Sequence, residues 1–462
     1  MNPQGERWTA EQVLALAPDA ASRTAGGKLA TAGPWTATGA CARSVWGSCS
    51  GSGAEPYRTA VDLDGPAYRC GCPSRKSPCK HVLGLLLRWA GEPDGGGVPE
   101  VPEPPEWVRT WLAGRRERAA RAGGPEPDAT ATDGGAPGAG GADPAAARRR
   151  AERRAHRIAA GATELEQRLG DLLRQGLATA TDGAAGATVW EETAARMVDA
   201  QAPGLEARVR ELAAARASGP GWPGRLLEEC ALTHLLDQAC LRIDELPEGL
   251  AATVRSRVGL TTTTAGLLAS GSPVRDRWWV LGRQDSGDGR LTARRVWLRG
   301  EHTGRMALLL SYGVAGRAPE PGPPPGLVID ADLVYHPSAR PLRAVLGDRY
   351  GPPGPPPEGG PPPGVGPAEA LAGYGAALRD DPWLDAWPTV LAGVVPIPGP
   401  DGWQLADPAT GTALPVDPRC PGRTNLWQLT AVSGGEPVTV FGECGHRGFA
   451  PVTTWDPLPV PL

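Results

Sequence analysis

The chain has 462 residues, of which glycine (64) and proline (51) make up about a quarter while hydrophobic residues reach only 40%. That composition excludes one tightly packed domain over the whole length, and sixteen tryptophans, each a large core anchor, exclude wholesale disorder. Lysine plus arginine (47) against aspartate plus glutamate (51) leaves a net charge of −4, so any polyanion-binding role falls to a local patch.

The length fits roughly three globular pieces with soft joints. The N-terminal residues are polar, without an apolar signal core, and the apolar run Val82 to Leu87 is far too short to span a bilayer. The expectation is a cytoplasmic protein with no membrane segment, in a reducing compartment that disfavours disulfides among the nine cysteines.

Residues 1–92 read as one module. Thr9 can cap a short helix carrying Val13, Leu14 and Leu16 that ends by Pro18. Strands follow at Trp35 to Thr38, Ser44 to Ser48 and Tyr57 to Leu63, then a cysteine cluster and a helix from Lys80 to Trp89. Residues 93–144 have linker composition, with one amphipathic helix from Trp107 to Ala122. Residues 145–270 are helical: Ile158, Leu165, Leu169, Leu172 and Leu173 form one stripe. Further helices fall at Trp190 to Ala200, Leu205 to Ala217 and Arg225 to Ile243, the last with Leu226, Leu227, Cys230, His234 and Leu235 on one side. On that reading His234, Cys230 and Cys240 are core residues, and Glu228 and Glu229 are a solvated face.

From 271 to 400 the period shifts towards two. Strands are expected at Trp278 to Leu281, Leu291 to Leu298 and Met306 to Val314, with Asp288-Gly289 as a hairpin turn. A Pro/Gly-rich insertion at 351–367 precedes a helix from Pro367 to Leu378. Residues 401–462 look like a small β meander with turns at Thr410-Gly411 and Gly434-Gly435.

The chemistry concentrates in Cys70-Gly71-Cys72, six residues, then Cys79-Lys80-His81. Three thiolates and an imidazole complete a tetrahedral zinc set. Gly71 lets both sulfurs face one point, and Pro73 and Pro78 reduce the entropy lost on closing the loop. A redox dithiol would prefer C-x-x-C in a thioredoxin-like frame, which is absent. A saturated set with no open position points to one structural Zn2+ and away from iron or copper. The whole is then an α+β multidomain chain: a small zinc-binding α/β module, a helical bundle in the middle and a β-rich C-terminal region, joined by Pro/Gly-rich linkers.

The arrangement resembles the SWIM zinc finger, whose pattern is C-x-C, a variable gap, then C-x-H followed by an apolar helix. Cys70, Cys72, Cys79 and His81 match it, Pro78-Cys79-Lys80-His81-Val82-Leu83 is a typical second half, and Trp46 to Cys49, Tyr57 and Val61 to Pro66 are similar to bacterial members. The finger covers residues 55–92. The resemblance implies zinc binding, then protein or nucleic-acid interaction, and brings no catalytic activity. Members of that bacterial group often accompany MoxR-type AAA ATPases and von Willebrand A-domain proteins, which makes these the implied partners.

No acid lies between Asp64 and Glu92, while Arg69, Arg75, Lys76, Lys80 and Arg88 are basic. Around a Zn–Cys₃His core of formal charge about −1, five cations leave a positive face. Arg75, Lys76 and Lys80 could contact phosphates or a partner, or could simply stabilise the thiolates. The Arg148 to Arg157 run could be a nucleic-acid arm, which gives the alternative of a sequence-tolerant DNA/RNA binder, or the solvated face of a helix. Cys420, Cys444 and His446 could offer three ligands to a second metal, without a fourth at motif spacing. No phosphate loop, H-E-x-x-H or G-x-S-x-G motif occurs, so the expectation is that the protein is not an enzyme.

Overall fold

The computed structural model describes residues 7–14, 16–18, 20–51, 55–63, 67–74, 76–91, 97–122, 144–176, 183–215, 218–287, 291–314, 319, 322–356, 360–400, 402–420 and 423–462. Arg75, the Asp288-Gly289 turn and residues 123–143 of the linker lie outside the described residues.

Two short helices, α1 (Ala10–Leu14) and α2 (Ala20–Lys28), precede an antiparallel meander of β1 (Trp35–Cys41), β2 (Ser44–Cys49), β3 (Tyr57–Asp62) and β4 (Ala67–Cys70). The entry to α1 is a reciprocal cap: the Gln12 backbone N–H donates to Thr9 Oγ1 at 3.2 Å, and the Thr9 N–H to Gln12 Oε1 at 2.8 Å. Helix α3 (Lys80–Ala90) lies on one face of the sheet, burying Val82, Leu83, Leu85, Leu86 and Trp89 against Val45, Val61, Trp35 and Trp8. Helix α4 (Glu106–Ala122) covers the opposite face, with Val108 and Leu112 packed on Trp46 and Ala60. Both faces of β2 are therefore dry, which is why neighbouring Val45 and Trp46 are both buried. The stretch that composition marks as linker continues this module: Ala40 donates to the Pro99 carbonyl and accepts from the Val101 N–H, each at 2.8 Å, and Arg115 pairs with Asp62 at 3.2 Å. Helix α2 was not expected, because Gly26 and Gly27 are poor helix formers. Packing explains it: a Cβ on Gly26 would lie 2.7 Å from the Leu83 Cβ, and one on Gly84 would lie 2.6 Å from the Leu29 Cβ. The two helices meet almost backbone to backbone, a contact only glycine permits.

The helical bundle comprises α5 (Pro144–Gln175), α6 (Gly183–Asp199), α7 (Pro203–Ala215), α8 (Trp222–Leu241) and α9 (Glu248–Val258). Ile158, Leu165, Leu169, Met197, Leu205, Leu212, Leu226, Leu236 and Val254 form its core. The expected stripe on α8 is corrected by one position. Leu226 and Cys230 are buried, but Leu227 and Leu235 are exposed, and the buried side runs on through Thr233, Leu236, Asp237 and Cys240. His234 is thus not a core histidine: its Nδ1 faces Glu166 Oε1 at 2.6 Å on the surface. Leu173 likewise lies outside the core, 47% exposed. Glu229 is half-buried between Arg208 (3.6 Å) and Arg447 (4.0 Å), not part of a solvated face.

After α10 (Thr264–Ser270), the strands β5 (Val274–Gly287), β6 (Leu291–Gly300), β7 (Met306–Val314), β8 (Val328–Tyr335) and β9 (Arg343–Arg349) close a barrel in the order β5-β6-β7-β9-β8. Trp278, Val280, Leu298, Ala331 and Leu333 fill it. The alternate residues Trp279, Leu281 and Trp297 face outward onto Val390, Phe441, Val452 and Trp455 of a second sheet. That sheet follows α11 (Pro367–Asp380) and contains β10 (Ala386–Gly399), β11 (Gly402–Asp407), β12 (Thr412–Pro415), then, after α12 (Arg423–Ser433), β13 (Val438–Gly445), β14 (Gly448–Asp456) and β15 (Leu458–Pro461), in the order β12-β11-β10-β13-β14-β15. Its third strand in that order, β10, thus begins before residue 401. The turn from β6 to β7 is locked by Asp276, a buried carboxylate that accepts from the backbone N–H groups of His302 (3.1 Å) and Thr303 (2.9 Å) and from Thr303 Oγ1 (2.7 Å). No helix among the described residues is long and apolar enough to cross a membrane.

Candidate metal centre

The four sequence-selected ligands converge. Cys70 is the last residue of β4, and the Gly71 N–H donating to the Arg58 carbonyl at 3.1 Å extends the pairing with β3 by one step. Cys72 follows in the loop. Cys79 is the N-cap residue of α3, with extended backbone (φ −79°, ψ 169°), and His81 is the second residue of that helix. A strand end and a helix start are thus fixed by the same core and aim their side chains at one another. The three Sγ atoms and one imidazole nitrogen all lie within 4.8 Å of each other. His81 Nδ1 stands 3.7 Å from Cys70 Sγ and 4.0 Å from Cys79 Sγ. The edges of a Zn–S tetrahedron are about 3.8 Å, so the cluster needs little adjustment to hold an ion. Cys79 and His81 are buried, and Cys70 and Cys72 half-buried.

Left to themselves, three crowded thiols cannot all ionise. The Cys70 thiol is held far below its ordinary value, chiefly by hydrogen bonding with Cys79 and, beyond that, with His81 and Thr59, which outweigh burial. Cys79 is driven up by the same contact with Cys70 and by burial, and Cys72 is raised mainly by burial. Thiolate gathers on one sulfur at the others' expense, and a divalent cation relieves that repulsion and lets all three ionise. Two neighbours support the ligands. Thr59, paired with Cys70 across β3 and β4, places its Oγ1 3.3 Å from the Cys70 sulfur. The Tyr57 ring lies 5.0 Å from that of His81 at a 46° tilt. Neither Thr59 nor the contact role of Tyr57 was read from the sequence, although strand pairing with the Cys70 segment could have suggested Thr59.

Comparison with known families agrees with this geometry. Residues 57–90 match the family model of the SWIM zinc finger, and residues 153–258 match that of the SWIM-associated four-helix bundle domain. The chain carries a SWIM zinc finger and a SWIM-associated four-helix bundle. No curated protein and no solved structure matches the chain.

Around the SWIM finger, Lys76 and Lys80 are exposed, as are Arg58 and Arg69 on the neighbouring strands. The Arg148–Arg157 run falls on the first turns of α5. Arg154 donates to the Gly259 carbonyl at 3.1 Å and Arg157 bonds to Gln201, so two of its cations tie the bundle together. The second metal set does not assemble: the zinc-finger quartet is the one Cys/His/acid cluster with metal-holding geometry among the described residues. Cys444 is buried in the core of the second sheet, with Cys420 packed against it. Cys49 is buried and Cys41 contacts Ser44 Oγ at 3.3 Å. Cys230 and Cys240 are buried thiols pushed up to about 11, mainly by burial.

Proposed function

We propose that this chain is a non-catalytic interaction protein whose SWIM finger folds around one structural Zn2+ and presents the exposed surface of its basic loop to a protein partner. The convergence of Cys70, Cys72, Cys79 and His81 within 4.8 Å carries the zinc part of the reading. The supply of core is what makes it structural: the same helix that brings Cys79 and His81 also buries Val82, Leu83, Leu85 and Leu86, so an ion there would couple directly to folding, with apparent binding free energies on the order of 10 kcal/mol in small fingers. The resemblance implies a MoxR-type ATPase or a von Willebrand A-domain protein as the partner class, in the reducing cytoplasm where the thiols stay available.

A second reading, nucleic-acid binding, is favoured by the exposed Arg58, Arg69, Lys76 and Lys80 around the site. Both readings are tested on the full chain. Elemental analysis of the purified protein should give one zinc per chain, lost in Cys72→Ser and His81→Ala, while the bundle helices stay folded by hydrogen exchange. A preparation without zinc would refute the metal-centred reading. A gel shift that weakens as salt rises would favour nucleic acid, and its absence together with zinc-dependent capture of a purified candidate partner would favour protein.

A further inference from the structure

A cleft of about 550 Å³ opens between the barrel and the second sheet, far along the chain from the finger. Its volume lies in the range of small-molecule sites. One wall is the end of β6 with the turn that Asp276 locks, a second is α11, and the floor is the start of β10. Three guanidiniums, Arg299, Arg305 and Arg340, enter its lining against a single carboxylate, Glu369.

The three cations are not equivalent. Arg340 is balanced by Asp380 at 3.1 Å and lies 5.0 Å over the Trp387 ring. Arg305 lies 4.1 Å over the Tyr335 ring, and Arg299 bonds to the Pro363 carbonyl. Neither Arg299 nor Arg305 has a carboxylate within ion-pairing distance among the described residues. Burial lowers the Arg299 pKa, as it does for a cation short of counter-charge. Aromatic and carbonyl contacts hold both guanidiniums in place while leaving their ionic demand unmet. A guanidinium fork suits the oxygens of phosphate and carboxylate, and Trp387 with the α11 face offers an apolar bed beside them. On α11, a Cβ at Gly373 would meet nothing within 4 Å, so this wall is set back.

We propose that this cleft binds a small organic oxyanion, a phosphate ester or a polycarboxylate, with its charged group held by Arg299 and Arg305 and its body along Trp387 and α11. The site is independent of the zinc finger. The test is calorimetric titration of the full chain with inorganic phosphate, AMP and citrate at two salt concentrations. Binding of AMP or citrate that weakens with salt is expected; preference for AMP identifies the ester and preference for citrate the polycarboxylate. Arg305→Gln, at an exposed position, should keep the fold and weaken binding by at least about tenfold. Gly373→Leu should project into the cleft from the α11 wall, leaving every arginine in the sequence, and abolish binding, with an unchanged circular-dichroism spectrum confirming the helix. Absence of binding by all three probes at millimolar concentration, or equal binding of phosphate and AMP that survives Gly373→Leu, would overturn the proposal.

Discussion

The α8 carboxylate Asp237 makes the sharpest quantitative test of the packing. It is fully buried in the bundle, and both its oxygens lack a hydrogen-bond partner. Burial, with the Glu166 charge nearby, pushes its pKa from 3.8 to about 8. The groups electrostatically coupled to it are Glu166, itself paired with His234, and the Cys240 thiol. A carboxyl raised on folding keeps its proton in the native state while the unfolded chain has lost it, so the native state loses stability as pH rises from about 4 to about 8. From those two values the loss between pH 5 and pH 8 is about 4 kcal/mol. Asp237→Asn removes the charge and should flatten that slope, leaving the variant close to wild type at pH 5 and more stable at pH 8. Urea titrations followed by far-ultraviolet circular dichroism measure it, and the difference between the two proteins cancels any pH effect on the finger. Parallel stability curves from pH 5 to pH 8 would show that Asp237 is solvated or partnered, and the burial argument would fall.

Thr59→Val should leave the finger folded but weaken metal retention by about tenfold, through loss of the hydroxyl beside the Cys70 sulfur; chelator competition measures it. Gly84→Val should destabilise the N-terminal module by ~1–3 kcal/mol, because even the first side-chain carbon meets Leu29 at 2.6 Å; differential scanning calorimetry reads the shift. For Asp276, burial alone would raise the pKa, but hydrogen bonds from Thr303 and His302 outweigh it and bring the value down to about 2. Its contribution is present above about pH 4 and is lost as pH falls through 2. Asp276→Ala should therefore speed amide exchange at His302 and Thr303 at neutral pH, whereas wild type should show the same acceleration only in strong acid.

The candidate metal ligands were legible because they sit within twelve residues and ligand chemistry admits few side chains. Three of the four strands of the N-terminal meander and the long bundle helices were legible by periodicity, whereas β4, only four residues long, was not. What was hidden depended on neighbours distant in sequence. On α8 the doublets Leu226-Leu227 and Leu235-Leu236 fit two stripes one residue apart, and contacts from the other helices choose between them. Asp237, being polar, could not signal that it lies inside. Strand β10 holds Pro388, Pro396 and Pro398, residues that argue against a strand. It is tolerated because β10 pairs with β13 over Ala386–Val394 and with β11 over Val395–Gly399, so each proline has a side with no ladder to break. Helix α2, with its two glycines, exists because α3 demands a slim neighbour.

One packing detail bears on how the protein can be cut. Leu327, from the segment leading into β8, is fully buried within the apolar core of the N-terminal module, and Arg283 of the barrel donates to the Leu16 carbonyl at 3.3 Å. The finger is therefore not a bead that can be clipped off. Truncation before the bundle would strip a greasy leucine and an arginine of their cover, and the remaining fragment should self-associate even though none of its own strands has been touched.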